Sequence, residues 1–156
     1  MVLAAFDDIS AAGQAVANVI AAGIIPAGME LMDQAATLAV EPFVNAGYPT
    51  DAAGILLTES DGTHEEVHDE IRRIEDIMTA SGAHIVRTSQ DEAERLKLWA
   101  GRKAAFPAVG RLSPDYYCMD GTIPRKRIAE VLRGIAAMEK KYDLRCANVF
   151  HAGDGN

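Results

Sequence analysis

The chain has 156 residues, of which 49% are hydrophobic and 24% charged, and its 15 basic and 23 acidic side chains give a net charge of −8. This length is enough for one domain with a hydrophobic core, and the acidic balance argues against a nucleic-acid-binding protein, which needs a clustered basic surface. The most apolar segment, residues 15–28, is interrupted by Asn18 and Pro26, so it predicts a buried helix and not a membrane span.

The first half of the chain alternates short apolar runs with helical patterns. Residues 2–6 are apolar and predict a strand, and the Ala-rich residues 10–22 predict a helix. Residues 29–46 predict a second helical stretch, which Pro42 bends or divides. Residues 53–59 then predict a buried strand.

The clearest helix signal begins at Thr63. The pattern Thr63-x-x-Glu66 is a capping box, in which the Thr hydroxyl and the Glu carboxylate satisfy free N–H groups at the helix start. Apolar side chains follow at helical spacing, at Val67, Ile71, Ile74 and Met78. Residues 83–88 predict a strand, Ser89 is expected to cap the next helix, and Pro107 is expected to stop it.

The last third predicts a strand-like segment, a helix and a final strand. Residues 116–119 are strand-like, Pro124 suits the first turn of a helix, and residues 144–150 predict the last strand. Helices that alternate with strands indicate a mixed α and β protein, and alternation alone suggests a parallel sheet. Periodicity does not distinguish this from an α+β arrangement.

Three groups of residues are candidates for a site. His64-Glu65-Glu66-Val67-His68 formally matches the H-E-x-x-H zinc motif, but the capping box and the helix dipole already explain its acidic residues. A zinc hydrolase would also need a third protein ligand, so a solvated helix start is the preferred interpretation.

The second and third candidates are cationic. Arg102 and Lys103 precede Pro107 and suit either a helix end or, for Arg102, a two-point grip on a carboxylate. His151 directly follows the last predicted strand and begins the segment His-Ala-Gly-Asp-Gly-Asn156. The glycines of this segment allow a ligand to approach, and the imidazole can bind a metal or accept a proton.

Two other residues favour structural interpretations. His84 is expected to be a structural histidine, and Cys118 a buried structural thiol. With only Cys118 and Cys146 in the chain, and Phe6-Asp7-Asp8 where a signal peptide would be basic, a reduced, cytoplasmic setting is expected.

Three spaced motifs stand out along the second half of the chain: Leu98-Trp-Ala-Gly-Arg-Lys-Ala-Ala-Phe-Pro107, Ser113-Pro-Asp-Tyr-Tyr-Cys-Met-Asp-Gly-Thr-Ile-Pro-Arg125 and Asn148-Val-Phe-His-Ala-Gly-Asp-Gly-Asn156. Together they resemble the C-terminal domain of the FAD-linked oxidases, and within that family the flavin-containing chains of the glycolate oxidases. Two further segments, residues 21–30 and 91–95, extend the resemblance to nearly the whole chain.

The resemblance implies an α+β fold with ferredoxin-like halves around an antiparallel sheet. It implies oxidation of a 2-hydroxy acid, such as glycolate or D-lactate, to the 2-keto acid with hydride transfer to FAD. Arg102 matches the arginine that binds the substrate carboxylate, and His151 matches a histidine that helps to hold a divalent metal near the substrate hydroxyl. Asn156 matches an asparagine near flavin and substrate.

The resemblance also implies that some residues of the family's active site lie outside residues 1–156 or are replaced here. Some relatives carry a lysine in the segment that matches residues 116–120, and Cys118 takes that place here. The second metal-binding histidine would fall two residues beyond Asn156, and a later glutamate would lie further on. Residues 1–156 are therefore expected to form one partial domain on the substrate side of an FAD-linked oxidase, inactive alone, with most flavin contacts in a separate domain.

Two classes of function remain open. The first is the substrate-binding part of an FAD-dependent 2-hydroxy-acid oxidoreductase, for which the resemblance implies partner subunits. The second is a non-catalytic small-molecule binding or interaction module.

Overall fold

A computed structural model describes all residues, 1–156, as a single sheet covered by helices. Five strands and five α-helices follow one another along the chain, with one 3-10 turn at Arg125–Arg127. They are β1 (Val2–Phe6), α1 (Ile9–Ala21), β2 (Gly28–Asp33), α2 (Gln34–Val44), β3 (Gly54–Glu59), α3 (His64–Ala80), β4 (Ile85–Thr88), α4 (Glu92–Val109), α5 (Ile128–Tyr142) and β5 (Val149–His151). No helix has the length and apolar character that crossing a membrane requires.

The sheet is antiparallel throughout, with strand order β4-β1-β3-β2-β5. The first four strands have the order of a ferredoxin-like unit, so the α+β expectation is confirmed and the parallel sheet that alternation suggested is wrong. The reason is topological: β1 and β2 are both antiparallel to β3, which lies between them, and β3 and β4 are likewise both antiparallel to β1. Helices α1 and α3 therefore each connect two strands of the same direction, as in a βαβ unit, but a third strand lies between those two strands. Helix α2 instead connects the antiparallel neighbours β2 and β3.

The two faces of the sheet bury separate cores. In β1, Val2, Ala4 and Phe6 pack toward α1, α3 and α5, whereas Leu3 and Ala5 pack toward α2 and α4. This alternation is the period of two of a strand that is covered on both faces. Strand β2 follows the same rule, which directs the side chains of Glu30 and Met32 to the α2 and α4 face.

Four helix starts carry the side-chain caps that their sequences encode. The carboxylates of Asp8, Asp33 and Asp91 accept hydrogen bonds from the first turns of α1, α2 and α4, and Thr63 with Glu66 forms the predicted capping box of α3. The expected cap at Ser89 is wrong by two residues, because Asp91 with Glu94 occupies that role.

Several predicted boundaries differ from the structure. Residues 29–46 divide into β2 and α2 at Asp33, and Pro42 and Pro107 both lie inside helices. Residues 116–119 form no strand, because they pair with no neighbour in the sheet. The last strand is Val149–His151 and not residues 144–150, because only these three residues pair with β2.

Candidate functional site

Glu30 and His151 are direct cross-strand neighbours at one edge of the sheet. Strands β2 and β5 place their Cα atoms opposite each other, and Oε1 of Glu30 lies 2.6 Å from Nδ1 of His151. Side chains of such a pair project from the same face of the sheet. The antiparallel register of β5 therefore brings His151 to the α4 side, where Glu30 already points.

Asp33 fixes the entry into β5. One oxygen of its carboxylate caps α2 at Ala36, and the other accepts hydrogen bonds from the backbone and side-chain nitrogens of Asn148 at 2.8 and 2.7 Å. Burial raises the pKa of Asp33, and the hydrogen bonds from Ala36 and Asn148 partly oppose that rise. These bonds hold the chain three residues before His151 and so set the register of the short strand.

Arg102 reaches the same carboxylate of Glu30 from helix α4. Its Nε donates to Oε2 of Glu30 at 2.6 Å, so the two oxygens of Glu30 bind one cation-forming side chain each. The Glu30 side chain is 8% exposed, against 27% for Arg102 and 40% for His151. A buried carboxylate needs such hydrogen-bonding partners. Arg102 and His151 are both more exposed than the carboxylate that they contact.

Helix α4 is held close to the loop that follows α2. The buried hydroxyl of Tyr48 donates to the carbonyl of Leu98, and the phenol lies against Gly101 so tightly that a Cβ there would be 2.5 Å from Tyr48 Cζ. Burial is the main reason that the pKa of Tyr48 lies well above its ordinary value. Gly101 thus permits the approach that places its neighbour, Arg102, over the sheet.

A second anchor ties α4 to the end of β3. The carboxylate of Glu59 accepts hydrogen bonds from the Trp99 indole nitrogen and, at 2.6 Å, from Nη1 of Arg95. The Trp99 ring covers Gly28, where a Cβ would come within 3.1 Å of it. The helix is therefore fixed to two neighbouring strands through Glu59 and Glu30.

Three nitrogen atoms of the site have no hydrogen-bond partner in the chain. They are the two terminal nitrogens of Arg102 and Nε2 of His151, whose nearest carboxylate oxygen, Oδ2 of Asp154, is 3.8 Å away. Two guanidinium nitrogens can bind a carboxylate in a bidentate manner. A free imidazole nitrogen can accept a proton or bind a metal. The arrangement can therefore hold a small acid and act on a group beside its carboxylate.

The turn after β5 is packed against the segment that precedes α5. Ile123 N donates to the carbonyl of Gly155 at 2.7 Å, and Arg125 Nη1 donates to the carbonyl of Gly153 at 3.0 Å. Gly155 has φ +89°, and a Cβ on it would overlap the carbonyl of Ile123. Only glycine fits this position, so the turn itself requires the last glycine of Gly-Asp-Gly.

Asn156 is bound within the chain. Its backbone exchanges hydrogen bonds with His151. With the side-chain amide assigned in the orientation that satisfies its neighbours, the amide nitrogen donates to the Gly121 carbonyl at 3.2 Å and to Oδ1 of Asp120 at 2.9 Å. The residue thus lies beside His151, as the motif implies, but its amide nitrogen is directed to residues 120 and 121. Its role as a flavin contact stays a prediction.

The other candidates lie apart from this site. His64 and His68 are exposed at the start of α3, and no group of three or more His, Cys, Asp or Glu side chains in the chain is arranged to hold a metal ion. His84 lies 3.3 Å from an exposed carboxylate oxygen of Asp7. Cys118 is exposed, so the expectation that it is a buried thiol is wrong.

Glu30 is the site residue that the sequence pattern does not reveal. It lies in residues 29–46, whose composition predicts a helix, and one acidic residue within an apolar run carries little information alone. The sequence feature that could have identified Glu30 is its position between the apolar residues Met29 and Leu31 of a buried strand. An acidic side chain that is buried in this way needs a cationic partner.

Comparison with known proteins gives relatives over the whole chain. It is 58% identical over 156 residues to the glycolate oxidase subunit GlcD of Escherichia coli K12, covering 100% of this chain and 31% of that protein. It is 40% identical over 154 residues to the Bacillus subtilis GlcD, covering 99% of this chain and 33% of that one. A probable mitochondrial D-lactate dehydrogenase of Danio rerio is 26% identical over 158 residues, covering 97% and 30%. The chain thus spans about a third of the length of these relatives.

A solved structure of alkyldihydroxyacetonephosphate synthase has a similar fold, with a TM-score of 0.57 at 12% identity, covering 89% of this chain and 30% of that one. The family model for FAD linked oxidases, C-terminal domain, matches residues 1–156. The chain therefore belongs to the C-terminal domain family of the FAD-linked oxidases.

Proposed function

We propose that this chain forms the substrate side of an FAD-dependent oxidoreductase that converts a small 2-hydroxy acid, such as glycolate or D-lactate, to its 2-keto acid. The observation that carries the proposal is the pair of unpartnered groups, the Arg102 terminal nitrogens and His151 Nε2, joined through one buried carboxylate. The 58% identity to a glycolate oxidase subunit supports the choice of substrate class.

The proposed chemistry assigns a separate task to each side chain. Arg102 binds the substrate carboxylate with its two terminal nitrogens and so orients the adjacent carbon. His151 Nε2 accepts the proton of the substrate hydroxyl as that oxygen becomes the carbonyl oxygen of the keto acid. FAD, when bound, supplies the acceptor for the two electrons that leave with the C2 hydrogen.

The residues of this chain fit a 2-hydroxy acid better than they fit FAD. Asn156, the candidate flavin contact, has its amide directed to Asp120 and Gly121. Together with the match to about a third of the relatives' length, this supports a domain arrangement in which FAD is held mainly outside residues 1–156. Residues 1–156 prepared alone should be colourless, and a yellow preparation that oxidises glycolate would refute the arrangement.

A divalent metal fits these residues only in part. His151 Nε2 is one free donor, Asp154 is the nearest carboxylate, and no three-ligand group is present. A metal at His151 would need further ligands from outside these residues, so the proposed chemistry assigns no step to it.

The proposal also includes the association with other subunits and the cellular location. The relatives named as subunits support a role within a multi-subunit oxidase. A reducing cytoplasmic setting stays a prediction from the two free cysteines.

The test uses the full-length, flavin-loaded protein that contains residues 1–156. Under anaerobic conditions, glycolate or D-lactate should reduce the flavin, and the loss of flavin absorbance measures that reduction. Replacing Arg102 by Ala should raise the acid concentration for half-maximal reduction about 100-fold, because two charge-assisted hydrogen bonds at roughly 1.5 kcal/mol each are lost. The matched control is Lys103→Ala, which removes an exposed cation from the next position of the same helix. A flavin that no 2-hydroxy acid reduces, or equal behaviour of the two variants, would contradict the proposal and favour a non-catalytic binding module.

A further inference from the structure

The carboxylate of Glu30 is the common partner of the two side chains that the proposed reaction uses. Its Oε1 lies 2.6 Å from His151 Nδ1, and its Oε2 accepts from Arg102 Nε at 2.6 Å. The three residues come from three elements, β2, β5 and α4. The relative position of the imidazole and the guanidinium therefore depends on this one carboxylate.

We propose that Glu30 is a positioning residue, which holds His151 as the Nδ1–H tautomer and fixes the plane of the Arg102 guanidinium. The inference rests on the proposed function of this site and adds to it a residue that does not touch the substrate. Its three parts are the tautomer, the guanidinium orientation and the rigidity of the carboxylate.

The tautomer follows from the chemistry of the partner. An ionised carboxylate accepts hydrogen bonds and donates none, so a neutral imidazole beside Oε1 carries its proton on Nδ1. The lone pair is then on Nε2, the nitrogen that has no hydrogen-bond partner in the chain. Without Glu30, the imidazole could carry its proton on either nitrogen, and the Nε2–H form cannot accept a hydroxyl proton.

The guanidinium orientation follows from which nitrogen is used. Glu30 engages Nε, so both terminal nitrogens of Arg102 remain available together in the same plane. A carboxylate bound through those two nitrogens would lie in that plane. Glu30 therefore determines the direction from which an acid approaches Arg102.

The rigidity follows from burial. The Glu30 side chain is 8% exposed and stands on a strand that pairs with neighbours on both sides. Its backbone is thus fixed by β3 and β5, and its side chain has little space for another rotamer. A flexible surface carboxylate would not impose one arrangement on two partners.

The experiment is Glu30→Gln in the flavin-loaded protein, because the amide keeps the shape but offers only one acceptor oxygen. If that oxygen stays on Arg102, the amide nitrogen faces His151 and favours the Nε2–H tautomer. Nitrogen-15 NMR of labelled histidine, with His151→Gln to assign the signal, reports the tautomer without any turnover. We expect Nδ1–H in the parent protein, a shift to Nε2–H in the variant and at least a tenfold lower kcat for glycolate.

The matched control is Glu59→Gln. Glu59 ties the same helix to the adjacent strand through Arg95 and Trp99 but touches neither Arg102 nor His151. This variant should keep the His151 tautomer and a kcat within about twofold of the parent. An equal loss of kcat in both variants would show a merely structural role and overturn the proposal.

The NMR result separates this proposal from the proposed function. If no 2-hydroxy acid reduces the flavin, the function fails, and the tautomer still tests Glu30. Nε2–H in the parent protein, or Nδ1–H retained in Glu30→Gln, would overturn the positioning role. If Glu30→Gln does not fold, the parent tautomer decides: Nδ1–H supports the proposal and Nε2–H overturns it.

Discussion

Replacing Gly101 by Ala perturbs the packing that places Arg102. Alanine is favoured over glycine in a helix by roughly 1 kcal/mol, so sequence propensity alone predicts a more stable protein. The structure predicts the reverse, because the added Cβ would overlap the hydroxyl of Tyr48, a residue that is 4% exposed, and lie 2.5 Å from its Cζ.

The magnitude follows from two opposing effects. Overpacking of a buried contact costs about 1–3 kcal/mol, and displacing Tyr48 from the Leu98 carbonyl costs roughly 1 kcal/mol more. Against the helix gain of about 1 kcal/mol, the free energy of unfolding should fall by roughly 1–3 kcal/mol.

Gly134→Ala is the matched control, because Gly134 lies in α5 and its added Cβ would meet nothing within 4 Å. That variant should raise the free energy of unfolding by about 0.5–1 kcal/mol. Urea unfolding of both variants, followed by circular dichroism, measures the difference. If Gly101→Ala is as stable as Gly134→Ala, the tight contact between Tyr48 and α4 is refuted.

Three further predictions concern single contacts, two of them near the site and one at the start of α3. Burial raises the pKa of Tyr48, so the phenol stays protonated to a higher pH in the folded state than in the unfolded state. Its contribution to stability is therefore complete below the unfolded pKa of about 10 and is lost as the pH rises beyond it. Urea unfolding between about pH 9 and 11 should show the free energy of unfolding falling with pH in the parent protein, and falling less steeply in Tyr48→Phe. Gly155→Ala should separate the last turn from Ile123, because φ is +89° and the Cβ meets that carbonyl, and faster amide hydrogen exchange at Ile123, with no change in α3, would report it. Thr63→Ala should lower the free energy of unfolding by about 0.5–2 kcal/mol through loss of the capping box, and Thr63→Ser, which keeps the hydroxyl, should restore most of it; equal stability of the two variants would contradict the cap.

Much of the fold was predictable where local signals agree. Strand β1 and helix α3 match their predicted positions because an apolar run and a capping box each act through near neighbours in sequence. The parallel arrangement was wrong for the opposite reason: which strand inserts between β1 and β2 depends on contacts far apart in the chain, such as Val2 with Thr58. Periodicity contains no information on such pairing.

The site was predictable only in part, and for a similar reason. Arg102 and His151 belong to long motifs, so the resemblance identified both, and the structure brings them to one carboxylate. Glu30 was missed because residues 29–46 combine a strand and a helix that meet at Asp33, without a Gly or Pro between them. The resemblance thus identified Arg102 and His151, whereas Glu30, which contacts both, became apparent only from the cross-strand register of the structure.

We propose that Glu30 holds Arg102 and His151 so that their free nitrogens bind a 2-hydroxy acid. The most direct measurement is a crystal structure of the flavin-loaded protein with oxalate, a small dicarboxylate that cannot be oxidised as a hydroxy acid. We predict that one carboxylate of oxalate bonds both terminal nitrogens of Arg102, that another oxygen lies within hydrogen-bond reach of His151 Nε2, and that Glu30 keeps both of its contacts. Oxalate bound away from Arg102, or an Arg102 side chain turned away from Glu30, would contradict this claim.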